Sequence, residues 1–313
     1  NMRFLNNFEL DGTYYNAKTM NQTFNPELPV GEYARIYIQT GAVRNQGLEL
    51  ALNYNNTWKD FIWNTGVTYS MNKNKILTLA DNAINPITRE KFSISSLNMG
   101  GLGSTRFILK EGGSMGDIYS LMDLKRDANG AVYIDENNSV VTESLEANNY
   151  IKLGSVLPKG NLAWRNNFSW KNINVAFLVS ARLGGGVFSR TQAVLDNFGV
   201  SEASAAARDK GYVSVNGNDR VNPEGWYSVV AGGTAVPQYY IYSATNIRLQ
   251  EASIGYTIPR KWLGNVCDIK VSLIGRNLWM IYNKAPFDPE SVASTDNFYQ
   301  GIDYFMMPSL RNV

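Results

Sequence analysis

The chain has 313 residues, of which 12% are aromatic and only 18% charged, with a formal net charge of +2. That balance gives no basis for a nucleic-acid partner. With no histidine and one cysteine, the sequence excludes His-based acid–base pairs, Ser-His-Asp triads and an internal disulfide. It offers little for a metal or cofactor, so an enzyme is not expected. Cys267 reads as a small buried residue.

Taken in chain order, the sequence opens with NMRFLNNFEL, which lacks the basic-then-apolar pattern of a secretion signal. The periodicity predicts strands near 2–16, 44–54, 60–71, 104–110, 114–122, 161–170, 172–183, 246–258 and 268–279, with a further strand starting around 307. In QGLELALNY (46–54), Leu48, Leu50, Leu52 and Tyr54 share one face, opposite Gly47, Glu49, Ala51 and Asn53. FIWNTGVTYSM (61–71), LAWRNNFSW (162–170), INVAFLVSARL (173–183), ASIGYTI (252–258) and IKVSLIG (269–275) repeat that alternation. Period two is the strand signature. No apolar run reaches the ~18 residues of a membrane helix.

Several of these runs reach the ~9–11 residues that a tilted membrane strand needs, beyond the ~5–6 of a soluble one. Their polar faces carry Gly, Ala, Ser, Asn and Thr, as a water-filled lumen tolerates, while the opposite faces suit lipid. Trp58, Trp63, Trp164, Trp170, Trp262 and Trp279 fall near expected strand ends, where an interfacial girdle would sit. Connections at 55–59, 111–113, Lys171 and 259–267 are short. Those at 17–43, 72–103, 123–160, 184–245 and 280–306 are long. The expected fold is all-β: an antiparallel transmembrane β-barrel with short periplasmic turns and long extracellular loops. The chain supplies about 9–10 strands of a larger barrel, because open edges are not tolerated in hydrocarbon.

Four stretches carry a family resemblance. ATNIRLQEASIGYTIPRKWL (244–263) and VSLIGRNLWMIYNKAPFDPE (271–290) are similar to the C-terminal barrel region of SusC-like (RagA-type) TonB-dependent transporters. The matching positions are Arg248, Leu249, Gly255, Tyr256 and Pro259, then Asn277 and Leu278, then Asp288, Pro289 and Glu290. Upstream, 41–76 and 154–185 resemble two further segments of that family in the same order. The resemblance implies an outer-membrane importer driven through TonB, with substrate held between the barrel and a SusD-like lipoprotein. It implies that residues 1–313 are the C-terminal part of the barrel, with the plug domain and final strand outside this chain. TonB would act through the N-terminal part. The cargo expected is a glycan or oligosaccharide, with a peptide as the alternative.

Other readings are a passive porin or surface adhesion barrel, and a soluble β-rich carbohydrate-binding protein. Where the family often has an acidic calcium-like loop, DANGAVYID keeps Asp127, Asn129 and Gly130 but places Ala131 and Val132 next, and reads as a polar turn.

Candidate contacts with substrate or partner lie in the 184–245 connection: Trp226, Tyr227, Tyr239 and Tyr240, whose flat faces suit sugars, an interface or internal packing alike. Arg165, Arg182, Arg248 and Arg276 are candidates for the lumen, either meeting plug carboxylates or standing solvated. Pro286 and Pro289 stiffen the loop after GRNL, but nothing in the sequence explains the need for Asp288 and Glu290.

Overall fold

The computed structural model describes residues 1–25, 37–85, 88–217, 219–294 and 299–313; parts of the expected long connections (26–36 above all) lie outside the described residues. Eight antiparallel strands form one continuous sheet, each beside its predecessor: β1 (Met2–Phe4), β2 (Phe8–Phe24), β3 (Ile38–Trp58), β4 (Phe61–Thr78), β5 (Gly160–Trp170), β6 (Ile173–Leu183), β7 (Asn246–Ile258) and β8 (Ile269–Asn283). At one rim the strands turn within a few residues, with Leu5, Asn6, Lys59 and Lys171 at positive φ. The longest of these turns holds a 3-10 segment, Arg260–Leu263. Every long connection leaves from the other rim. Cys267 is exposed in the β7–β8 turn rather than buried, because that turn has no core to enter.

The sheet is inverted relative to a soluble one. A row of Leu10, Leu52, Val67, Trp164, Val179, Leu249 and Trp279 crosses seven strands without a polar break. A second row joins Trp63, Phe168, Val175, Ile254 and Leu273. Nearest the tight turns, Trp58, Phe61, Trp170, Ile173, Tyr256 and Val271 form a third, aromatic-rich row. Val271 and Leu273 are 64% and 61% exposed, which only a hydrocarbon neighbour makes favourable. The opposite face aligns Asp11, Ala51, Thr68, Ala163, Ser180 and Arg248. Nearer the tight turns, Asn55, Asn64 and Asn167 form a further row on that face. Small and polar side chains on that side fit a wet lumen.

Two of the expected girdle tryptophans lie further into the sheet than the strand ends. Trp63 Nε1 donates to Asn166 Oδ1 at 3.2 Å, and Trp164 Nε1 donates to Thr65 Oγ1 at 3.1 Å. Asn166 and Thr65 are neighbours across β4 and β5 on the apolar face. An indole N–H facing hydrocarbon has no water to bond, so the two polar residues supply the acceptors.

The long connections fold into a cap. A four-stranded sheet comprises Ser96–Leu102, Thr105–Lys110, Asp117–Ser120 and Ile151–Ser155. The runs expected at 104–110 and 114–122 as membrane strands are therefore cap strands. They have six and four residues, too short to cross a bilayer, and Phe107, Ile108, Leu109 and Ile118 are all buried, so both faces are covered. A second sheet holds Gly186–Ser189 between Ile241–Ser243 and Ile302–Asp303. With α1 (Arg190–Asn197), α2 (Glu202–Lys210) and α3 (Pro223–Val230), these elements enclose a core that includes Phe107, Ile118, Phe188, Val221, Val236 and Ile302. A smaller core of Phe24, Ile38, Val43, Ile76, Leu79 and Leu109 joins the far ends of β2–β4 to the cap. Near the chain end, Asn312 makes an antiparallel bridge with Arg276 of β8, where a further strand was expected.

Candidate functional site

The three helices surround a cleft of about 780 Å³ in the cap, lined by Asn197, Phe198, Arg208, Glu224, Tyr227 and Ser228 among others. Local sequence fixes each helix. Ser189 and Ser201 cap α1 and α2 by accepting from Gln192 N and Ser204 N. Asn222 caps α3 ahead of Pro223, its Oδ1 accepting from Glu224 N at 2.8 Å and Gly225 N at 3.4 Å. Gly211 ends α2 at φ +83°, a left-handed position that favours glycine.

The floor is organised by the buried carboxylate of Asp196. It accepts from Gln192 Nε2 at 2.8 Å, from the Ser201 hydroxyl, and from Tyr240 Oη at 3.0 Å. Burial, then the Asp196 charge and hydrogen bond, push the Tyr240 phenol far above its ordinary value. Tyr242 is pushed up to about 12, by burial first and then by Asp196. Both phenols stay neutral, and Tyr240 donates to Asp196. Arg208 Nη1 donates to Gly199 O, fixing the α1–α2 turn, which presents Phe198 with 74% of its surface exposed.

The four sequence-predicted aromatics do not form one face. Tyr227 lines the cleft, with its phenol raised by burial and the Asp196 charge. Trp226 and Tyr239 meet edge to face at 5.3 Å between ring centres, and Trp226 packs on the cap core. Tyr240 lies in that core, bonded to Asp196. Sequence reasoning missed Asp196, Arg208, Asn222 and Glu224. The Ser-x-x-Gln start at 189–192 and the Asn-Pro pair at 222–223 were the available signals.

A second constellation joins the wall to the loop after β8. Arg248, only 6% exposed, places Nη2 2.9 Å from Asp288 Oδ1 and 3.1 Å from Glu290 Oε2. Asn246 Nδ2 donates to Glu290 Oε1 at 3.2 Å, and Ser309 Oγ donates to Asp288 Oδ2 at 2.7 Å. Burial disfavours the Asp288 anion. Hydrogen bonds from Ser309, Arg248 and the Glu290 amide, together with the Arg248 charge, more than offset it and hold the carboxyl below its ordinary value. The Asp-Pro-Glu motif therefore has a physical role: it neutralises and anchors a buried arginine of β7.

No protein-family model matches the chain. It is 26% identical over 348 residues to TonB-dependent receptor P3 of Formosa agariphila, covering 98% of this chain and 32% of that receptor. It is 28% identical over 297 residues to TonB-dependent receptor P26 of the same organism, covering 88% of this chain and 29% of that receptor. Among solved structures, the RagAB peptide importer in the closed-closed state superposes with a TM-score of 0.69 at 16% identity, covering 98% of this chain and 33% of that one. Its open-open state gives 0.64 at 17% identity, covering 98% and 32%. The chain is similar to about a third of a TonB-dependent receptor and shares its fold with part of the RagAB importer. Its wall is that of an outer-membrane β-barrel, and the chain spans about a third of the length of the curated relatives it matches.

The four arginines singled out from the sequence have separate surroundings. Arg165 stands exposed on the polar face of β5, opposite Gly66 and Leu178. Arg182 donates from Nη2 to Val156 O at 2.8 Å, tying β6 to the cap. It also lines a cavity of about 520 Å³ with Asp11, Glu49, Ser70, Asn161 and Glu290, among apolar neighbours such as Leu50 and Leu162. Arg248 forms a clamp with Asp288 and Glu290. Arg276 donates through Nε to Glu251 Oε2 at 3.0 Å across β7 and β8. Asp127 Oδ1 accepts from the amides of Asn129 and Ala131 at 2.8 and 2.9 Å, so that carboxylate closes a turn. No cluster of three or more metal-binding side chains occurs among the described residues.

Proposed function

We propose that the chain forms wall and outer cap of an outer-membrane, TonB-dependent nutrient importer of SusC type, acting with a SusD-like surface lipoprotein on glycans or oligosaccharides. The whole protein extends beyond these residues, with a plug domain, a TonB-coupling N-terminal part and the final strand elsewhere in it. The observation that carries this reading is an apolar-out, polar-in wall beneath a folded cap whose cleft brings Tyr227 and Phe198 together with Asn197, Arg208 and Glu224. An aromatic face beside amide, guanidinium and carboxylate groups suits a ring with an apolar side and a hydroxylated rim. The chain supplies passage and contact surface rather than catalysis, in keeping with matched relatives named as receptors and importers.

The RagAB neighbour is a peptide importer, which favours a peptide as the second cargo. The test is energy-dependent uptake by cells carrying the full-length protein, with oligosaccharides and short peptides as competing cargoes. Uptake should vanish without TonB, and Tyr227→Ala should reduce it about tenfold, as loss of an aromatic anchor would. Uptake that persists without TonB identifies a passive pore. Peptide uptake that oligosaccharides fail to displace reassigns the cargo.

A further inference from the structure

Helix α1 contributes to the cleft and also holds the start of a short segment that ends on the barrel wall. Ile302 and Asp303 pair in parallel with Phe188 and Ser189, directly before α1. Ser189 Oγ donates to Asp303 Oδ2 at 2.6 Å, and Phe305 N donates to Thr191 Oγ1 at 2.6 Å. A few residues later the same segment is fastened to the wall. Ser309 binds Asp288 of the clamp, and Asn277 Nδ2 donates to Leu310 O at 3.1 Å. Arg276 and Asn312 then exchange both backbone hydrogen bonds, at 2.7 and 3.2 Å.

The wall end is shaped to receive this segment. Opposite Leu249 and Glu251 of β7 stand Trp279 and Arg276 of β8, so Asn277 and Leu278 together face the single residue Gln250. Asn277 sits at φ +51°, a conformation asparagine tolerates better than most residues, in a bulge that turns its amide toward Leu310. Between the two anchors, Met306 and Met307 are exposed. The segment is thus fixed at its ends and otherwise carries little packing.

We propose that Gly301–Asn312 is a coupling strap, which transmits displacement of the cleft helix α1 to the β8 edge and the Asp288 clamp. Opening at either end weakens the other, since coupling between two sites is reciprocal. The strap holds whatever the cargo, so its test is independent of uptake.

The experiment is hydrogen-exchange mass spectrometry on the full-length protein in nanodiscs. Thr191→Val removes the cap acceptor and Ser309→Ala removes the wall donor. Thr191→Val should speed exchange of the Arg276 and Asn312 amides about three- to tenfold, the factor for one lost hydrogen bond. Ser309→Ala should do the same for Phe305 and Phe188. Thr191→Ser keeps the acceptor and should restore the wild-type pattern at the wall. Asp127→Asn, in a separate turn of the cap, should leave both ends unchanged. Faster exchange confined to each substituted end overturns the proposal, as does a Thr191→Ser protein that behaves like Thr191→Val.

Discussion

In the wall, Val175 and Leu273 present their side chains outward; in the cap, Val187 and Phe188 of the strand following β6 are sealed from contact with anything but protein. The same residue types thus serve two solvents within one chain. Wall strands are long and apolar on one face only, because lipid covers that face and water the other. Cap strands are short and covered on both faces, because their apolar surface can be hidden only by folding the connections against each other. The described parts of the connections therefore form a second folded body seated on the rim.

Four substitutions sharpen that contrast. Phe188→Ala, at the cap core, should have the largest effect, costing about 3–5 kcal/mol. Limited proteolysis should show the cap cut while the wall remains protected in membranes; loss of both together would mean that the two fold as one unit. Val175→Arg, at the centre of the apolar face, should cost about 2–4 kcal/mol, read as a lower urea midpoint for unfolding from lipid vesicles. Insertion equal to wild type would reverse the faces.

Asp288→Ala, at the junction, should cost about 2–3 kcal/mol, because Arg248 keeps only Glu290 as a counter-charge. The folded carboxyl titrates below its ordinary value, so its stabilisation is present above the unfolded pKa of about 4 and is lost as pH falls through the lower, folded one. Trp279 lines the cavity beside Asp288 and Ser309. Its emission should shift in acid in the wild type and lose that transition in Asp288→Asn. Smallest is Asn277→Ala at about 1 kcal/mol, for an alanine forced to positive φ; Asn277→Gly should relieve that strain but still release Leu310. Equal melting points for the two would argue against a left-handed bulge. Deleting 212–240 is a poor probe, since Val215, Val221, Val230 and Tyr240 belong to the cap core.

The wall was legible because alternation survives wherever each face meets a single solvent. Leu48 to Tyr54, Phe168 to Trp170 and Ile269 to Leu273 could be assigned faces from spacing alone. The runs at 104–110 and 114–122 were misplaced, because a strand buried on both faces loses its polar partner row and resembles any apolar run. Trp63 and Trp164 read as girdle residues because their acceptors, Asn166 and Thr65, lie on neighbouring strands. The clamp was invisible for a related reason: Arg248 and Asp288 are conspicuous singly, but forty residues separate them. Of the residues lining the cleft, Tyr227 was singled out for its chemistry, whereas Asp196 and Arg208 carry no pattern that distinguishes them from ordinary helix charges.

The sorting of connections by rim has its own consequence. One edge of the wall ends in hairpins such as Lys59–Asp60, which leave no slack for inserted sequence, while the opposite edge bears whole helices and sheets. Added or exchanged sequence can therefore accumulate on that rim, changing the cap while the register of the wall remains untouched.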